Sequence, residues 1–270
     1  MKKLTKLQEK YKIELVDKLI KWIKEQLKDK KAIIGISGGK DSSICAALCC
    51  EAIGKENVIG ILMPNGEQKD INDSKRLVEY LGIKNYLFNI GSMYDTMVTT
   101  LSDIIDLKDN VMTNIPPRLR MTVLYAYAQT FNGRVICTSN ASEAYVGWTT
   151  KWGDNVGDIA PLLQFTKTEV VAIGSVLDIP EDLIFKTPAD GLCGKSDEEK
   201  LGFSYDTLDR ILTVNEVEYD EEIWKKINNR HEMSKHKREP IPCYKITPDG
   251  PCFNDFTSRY PFDKEFYKED

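Results

Sequence analysis

Apolar residues recur at every fourth position near the N-terminus (Leu7, Tyr11, Leu15, Leu19, Ile23, Leu27), with lysines and glutamates between them. That spacing predicts an amphipathic helix over residues 4–28. The period then changes. Ala32-Ile33-Ile34-Gly35-Ile36 is a short, almost unbroken apolar run, the pattern of a parallel strand covered on both faces. Similar runs predict strands at 58–62, 85–90 and 134–138, and helical spacing predicts helices at about 41–53, 70–82, 92–107 and 117–131. Such alternation implies an α/β fold with a parallel sheet and right-handed crossovers. Beyond Glu143 the strand signals stop. Residues 148–165 read as a loop rich in Gly, Asp and Trp, 166–178 as a helix and 186–204 as a Gly-, Pro- and Asp-bearing stretch. Helices follow at 205–213 and 218–235. Prolines at 240, 242, 248, 251 and 261 predict an irregular tail over about 240–270, and nothing divides residues 1–270 into separate domains.

Composition removes whole classes of function. No apolar stretch is long enough to span a membrane, and the charged N-terminus lacks the apolar core of a secretory signal, so a cytoplasmic location is expected. With 42 acidic against 37 basic residues the net charge is −5, which argues against a nucleic-acid partner. The seven cysteines (45, 49, 50, 137, 193, 243, 252) contain no Cys-x-x-Cys pair, and only two histidines accompany them. They read as reduced thiols, several of them packed on a helix, and not as a zinc site.

The chemistry concentrates in Gly35-Ile36-Ser37-Gly38-Gly39-Lys40-Asp41-Ser42-Ser43, where the first strand turns into a helix. Backbone N–H groups and the helix dipole make such a turn an anion site. It is not a Walker A loop: the position five before Gly39 is Ile34, and Asp41 follows Lys40. A carboxylate beside a polyphosphate is repulsive unless a cation lies between them, so Asp41 reads as a magnesium ligand. The alternative is a first-turn acid favoured by the helix dipole, with an ordinary glycine turn before it.

This loop resembles the Ser-Gly-Gly-x-Asp-Ser loop of the N-type ATP pyrophosphatases, which split ATP to adenylylate a substrate. Later segments resemble one branch of that superfamily, the ammonia-dependent NAD synthetases. They are Arg118-Leu119-Arg120-Met121, Thr150-Lys151-Trp152-Gly153-Asp154 leading to Asp158, and Phe165-Thr166-Lys167-Thr168-Glu169. Pro188-Ala189-Asp190, Ser196 to Asp206 and His236-Lys237-Arg238 follow in order. The resemblance implies an open, mainly parallel five-stranded sheet of the adenine nucleotide α-hydrolase type, with helices on both faces and further helices C-terminal to it. It implies ATP-dependent amidation of deamido-NAD by ammonia through an adenylylated intermediate, in a homodimer that uses Mg²⁺. Gly35, Ile36, Ser37, Gly38, Gly39, Lys40, Asp41, Ser42, Thr138 and Lys167 would bind ATP, and Asp41 and Glu143 the metal. Arg118, Lys151, Asp158, His236 and Lys237 would bind deamido-NAD. Asp41, Lys167 and Asp190 would be the catalytic residues. Relatives often carry Thr where this chain has Pro188, so that nucleotide contact is not expected here.

Without the resemblance, Lys151 and Lys167 also read as surface lysines, and Arg118 and Arg120 as solvated residues opening a helix. The stretches 188–204 and 66–70 are expected lids, the alternative being surface loops with no gating role. Another amidating or tRNA-thiolating pyrophosphatase and a non-catalytic adenine-nucleotide sensor are the competing functions. The phosphate loop begins at residue 35 and the tail after 240 is short, so direct use of ammonia is expected, without an attached amidase domain.

Overall fold

The apolar runs pair in the computed structural model, which describes residues 6–68, 71–184, 196–213 and 220–242, with side chains from residue 11 onward. Helix α1 (Lys6–Leu27) leads to β1 (Lys31–Gly35), α2 (Lys40–Ile53), β2 (Val58–Leu62), α3 (Ile71–Leu81) and β3 (Lys84–Leu87). Then come α4 (Gly91–Ser102), α5 (Asp109–Thr130), β4 (Gly133–Val135) and the short α6 (Ala141–Tyr145). The C-terminal helices are α7 (Lys167–Gly174), α8 (Glu181–Ile184), α9 (Asp197–Leu201), α10 (Tyr205–Thr213) and α11 (Glu221–Met233).

The strand order is β3-β2-β1-β4, and every pairing is parallel. Ile33 lies opposite Ile59 on one side and Val135 on the other. Successive strand residues face opposite layers. Ala32, Ile34, Val58 and Leu62 pack beneath residues of α1, α2, α3, α7 and α8. Ile33, Ile59, Ile61 and Val135 pack against Met121, Val123, Leu124 and Ala128 of α5. Helices therefore cover both faces, as the unbroken apolar strands require. Because β2 and β4 flank β1, strand order reverses at β1, and a crevice opens there at the carboxyl ends of the strands.

Three expectations need adjustment. Among the described residues the sheet has four strands, not five. Where a fifth would run there is a single parallel bridge, Ile136 to Ile159, because Gly157 and Pro161 bracket the segment and proline has no N–H for a ladder. Helix α5 begins at Asp109 and runs through Pro116 and Pro117, well before the expected start at 117. Ile115 and Pro116 are buried, and that packing holds the helix through two residues that donate no hydrogen bond. On α1 the buried face is Val16, Leu19, Ile23 and Leu27, whereas Tyr11 is 66% exposed. A strict spacing of four drifts around a helix of about 3.6 residues per turn, so Tyr11 lies about 160° from Leu27.

Residues Met1–Ser234 form one compact unit, and Lys235–Asp270 a second. The second contributes the 3₁₀ turn Lys235–Lys237. Among the described residues no helix is long and apolar enough to cross a membrane.

Gly157 sets how closely the 156–160 segment approaches β4. A Cβ there would stand 2.6 Å from the backbone nitrogen of Cys137 and 2.7 Å from its Cβ. Neither atom is the end of a flexible side chain, so Gly157→Ala is expected to lower stability by about 1–3 kcal/mol in urea unfolding. A variant as stable as wild type would show that the segment can back away from the sheet.

Candidate active site

The turn after β1 is shaped by its own side chains. Gly38 has φ of +75°, and a Cβ there would meet Asp73 Cβ and the Ser74 nitrogen at 2.9 Å, so the loop lies directly against the start of α3. Ser37 Oγ accepts from the Gly39 N–H at 3.2 Å and shares a hydrogen bond with Ser42 Oγ at 3.1 Å. Gly39 caps α2 without a side chain. Its carbonyl accepts from the hydroxyls of Ser42 and Ser43 at 3.0 and 2.8 Å. The first turn of α2 therefore presents N–H groups and a positive dipole end to the crevice.

Two further helix starts converge on it. Asn140 caps α6, accepting from the Glu143 N–H at 3.0 Å while its Nδ2 donates to Asp41 Oδ1 at 3.4 Å. Thr166 and Glu169 form a reciprocal capping box at the start of α7, which sets Lys167 as its first residue. Lys167 is only 4% exposed, and its Nζ lies 2.6 Å from Glu143 Oε1. Beneath the pair, Ser142 Oγ accepts from the Lys167 N–H at 2.9 Å and donates to Asp209 Oδ1. Asp209 Oδ2 accepts from the Thr168 N–H at 2.7 Å. One carboxylate on α10 thus ties α6 to α7.

Burial and the Glu143 charge push the Asp41 carboxyl up to about 7, against the pull of Lys167, Lys40 and the Asn140 hydrogen bond. Burial would lower Lys167, but Glu143, Asp41 and Asp197 hold its ammonium above the usual lysine value. Lys40 is lowered by burial and by Lys167. A cavity of about 120 Å³ is lined by Ser37, Gly39, Asp41, Ser42, Thr138, Ser139, Glu143 and Asp154. A second, of about 510 Å³, runs along α5 and is lined by Arg118, Met121, Thr122, Tyr125, Ala126, Gln129 and Trp152.

The NAD synthase family model matches residues 14–241. The chain belongs to the NAD synthase family. It is similar to an NH(3)-dependent NAD(+) synthetase of Pyrococcus furiosus, with 38% identity over 83% of this chain and 91% of that one. Among solved structures it is similar to an NMN synthetase from Francisella tularensis, with a TM-score of 0.78 and 33% identity over 88% of this chain and 98% of that one. It is also similar to an NH3-dependent NAD synthetase from Campylobacter jejuni, with a TM-score of 0.73 and 27% identity over 87% and 99% of the two chains.

The structure of this NAD synthase family member brings most of the sequence-selected residues to two places. The 35–42 loop, Thr138, Glu143 and Lys167 gather at the small cavity and its rim. Arg118 and Trp152 line the large one; Arg118 Nε donates to the Lys151 carbonyl at 3.2 Å, and Lys151 Nζ lies 5.4 Å from the Trp152 ring centre. Asp158 stands at the sheet edge, where its carboxylate accepts from the Val135 N–H at 2.8 Å. Tyr125, which lines the large cavity, has its hydroxyl raised by burial and by Asp158. His236 and Lys237 lie in the second compact unit. Asp190 and Pro188 fall outside the described residues, as do 69–70 and residues 188–195 of the expected 188–204 lid.

The surface-lysine alternative for Lys167 is overturned by its burial. Sequence reasoning gave no role to Asp154 and Tyr205, although both stand in segments that carry the resemblance, and it missed Asn140, Ser142 and Asp209. Of these only Asn140 carried a local signal, an N-cap residue three before a glutamate. The cysteine reading holds for the described thiols: Cys45, Cys49 and Cys137 are buried and unpaired with one another, and burial raises each of them, which leaves none activated as a nucleophile.

Among the described residues no cluster of three or more His, Cys, Asp or Glu side chains could enclose a metal ion. Asp41 and Glu143 nonetheless fit a hard cation shared with phosphate oxygens, as magnesium is usually held: two carboxyls face one polar cavity, and one of them is raised by the other. Since the folded Asp41 carboxyl titrates near 7 and its ordinary value is 3.8, the folded chain holds this proton more tightly than the unfolded one. Its stabilising contribution is full below about pH 4 and is lost as pH rises through 7. Asp41→Asn is therefore expected to melt above wild type by about 2–4 °C at pH 8 without ligands, and level with it at pH 4. The same variant should lose about 10²–10³-fold in ATP-dependent pyrophosphate release. Equal melting at pH 8, or activity within about threefold of wild type at limiting Mg²⁺, would contradict the assignment.

Proposed function

We propose that this chain amidates deamido-NAD with ammonia at the expense of ATP, giving NAD, AMP and pyrophosphate. The observation that carries the reading is the convergence of the phosphate loop with Asp41, Glu143 and buried Lys167 at the reversal of strand order. The names of the relatives described above support the substrate class.

In this reading the nicotinate carboxylate attacks the α-phosphorus of ATP. An oxygen–phosphorus bond forms as the bond to pyrophosphate breaks. Ammonia then attacks the acyl carbon, AMP leaves, and the surplus proton passes to solvent. A carboxylate could otherwise form an amide only by expelling oxide; AMP is a far better leaving group. The chain's own work is positioning and charge neutralisation. The 35–42 N–H groups cradle phosphates, and Lys40 and Lys167 balance the charge that gathers on departing pyrophosphate. Thr138, which lines the small cavity, is read as a contact to the adenosine. Asp41 and Glu143 would hold magnesium, which would supply the positive charge that lets a polyphosphate sit beside carboxylates. Asp190 remains an expected catalytic residue.

The large cavity beside Arg118, Lys151 and Trp152 is the proposed seat of the second nucleotide, with cations for its pyrophosphate and an aromatic face for its rings. Asp158 and, in the second unit, His236 and Lys237 remain expected contacts to deamido-NAD. A homodimer belongs to the same reading: Met97, Ile104 and Ile105, on α4 and just after it, are exposed, and a second copy would cover such apolar side chains. The family match runs from 14 to 241, which supports one catalytic domain up to about 240 with a tail beyond.

The likeness to the NMN synthetase favours one second reading, amidation of nicotinate mononucleotide. Assaying purified protein with ATP, Mg²⁺ and ammonium, with deamido-NAD and nicotinate mononucleotide supplied separately, decides between them. The expected outcome is a higher kcat/KM for the dinucleotide; the reverse order would transfer the assignment. In the same assay, glutamine freed of ammonia is expected to support no turnover, and stoichiometric glutamate formation would refute direct use of ammonia. Arg118→Ala is expected to raise KM for the dinucleotide at least about tenfold while changing KM for ATP little.

A further inference from the structure

When Glu143 serves as a metal ligand, its charge turns toward the cation and away from Lys167. Among the described residues its Nζ donates to Glu143 alone, so metal and nucleotide binding would strip a nearly buried ammonium of its hydrogen-bonded partner. One contact does not depend on Glu143. The ammonium lies 4.1 Å from the centre of the Tyr205 ring, near the distance of closest approach for a cation over an aromatic face.

We propose that the face of Tyr205 is the fixed partner that holds the Lys167 ammonium toward the phosphates while Glu143 is exchanged. Tyr205 is then a positioning residue for adenylylation, and this role rests on the function proposed above for Lys167. The ring is placed by packing. Tyr205 is 5% exposed and sits in a cluster with Val146, Leu201, Phe203, Leu208 and Ile227. Its N–H donates to Glu198 Oε1 at 2.8 Å, which joins the start of α10 to α9. Its hydroxyl is buried and makes no hydrogen bond among the described residues, so no described hydroxyl contact holds the ring there. A desolvated ammonium over an aromatic face is stabilised far more than an exposed one. Here both groups are almost fully buried, and the neighbouring carboxylates keep the lysine charged.

The decisive experiment replaces residue 205 with phenylalanines carrying zero, one, two, three and five ring fluorines, which weaken the negative face stepwise at nearly constant shape. Tyr205→Leu and Lys167→Met complete the set, and melting curves verify folding of each variant. Tyr205→Phe is expected to keep at least about a third of wild-type kcat. Tyr205→Leu is expected to lose about 10–30-fold, with KM for deamido-NAD little changed. Across the fluorinated series, log kcat and calorimetric ATP affinity should both fall in the order of ring-face weakening. A flat series, or Tyr205→Phe as impaired as Tyr205→Leu, overturns the ring's role. If Lys167→Met is inactive while the series is flat, only the Tyr205 inference fails. If Lys167→Met adenylylates normally, the assignment of Lys167 fails with it.

Discussion

Asp41, Glu143, Lys40 and Lys167 carry two negative and two positive charges into one small space at the carboxyl end of β1. Like charges crowded away from water repel strongly and opposite ones attract strongly, so the four groups are tolerable only as a set. In the absence of ligands the balance is struck by the 2.6 Å pair between Lys167 and Glu143 and by a carboxyl at Asp41 that titrates near neutrality. In the function proposed above a cation and a polyphosphate enter together, because each ligand supplies the charge that the other displaces.

Much of the surrounding structure holds those side chains in place. Glu143, Lys167 and Asp41 each sit in the first turn of a helix, and the three helices start from different parts of the chain. Asn140 and the Thr166–Glu169 box fix where α6 and α7 begin, which fixes where their first side chains point. Asp209 then joins the two helices from below through Ser142 and Thr168. Gly38 lets the phosphate loop lie against α3, and Gly157 lets the 156–160 segment close over β4 beside Thr138. A shift of an ångström in any of these supports would separate groups whose use depends on being together.

The region proposed for the second nucleotide is built differently. Its cavity lies along one face of α5, and its polar groups come from that helix and from the 147–160 loop, where Trp152 adopts a φ of +63°. Helix α5 can supply that face only because it continues through Pro116 and Pro117, carried by the burial of Ile115 and Pro116. Positions in a groove of this kind depend on packing between elements more than on any local preference.

The sequence by itself determined the alternating α/β order, the parallel character of the strands and the phosphate loop, because these follow from periods of two and 3.6 residues and from glycine at a strand–helix turn. The caps at Asn140 and Thr166 were equally local, since an N-cap and its partner stand three residues apart. The resemblance singled out Lys167, but tertiary structure alone decided its surroundings: by local pattern it reads as a surface lysine, and only the approach of α6 and α10 buries it. Asp209 and Tyr205, about 40 residues beyond Lys167, joined the site for the same reason. The start of α5 and the reduction of a fifth strand to one bridge were also decided there, by Ile115 burial and by the Gly157–Pro161 segment. Spacing along a chain reports which face of one element a residue occupies; which other element meets that face is settled only when all of them pack.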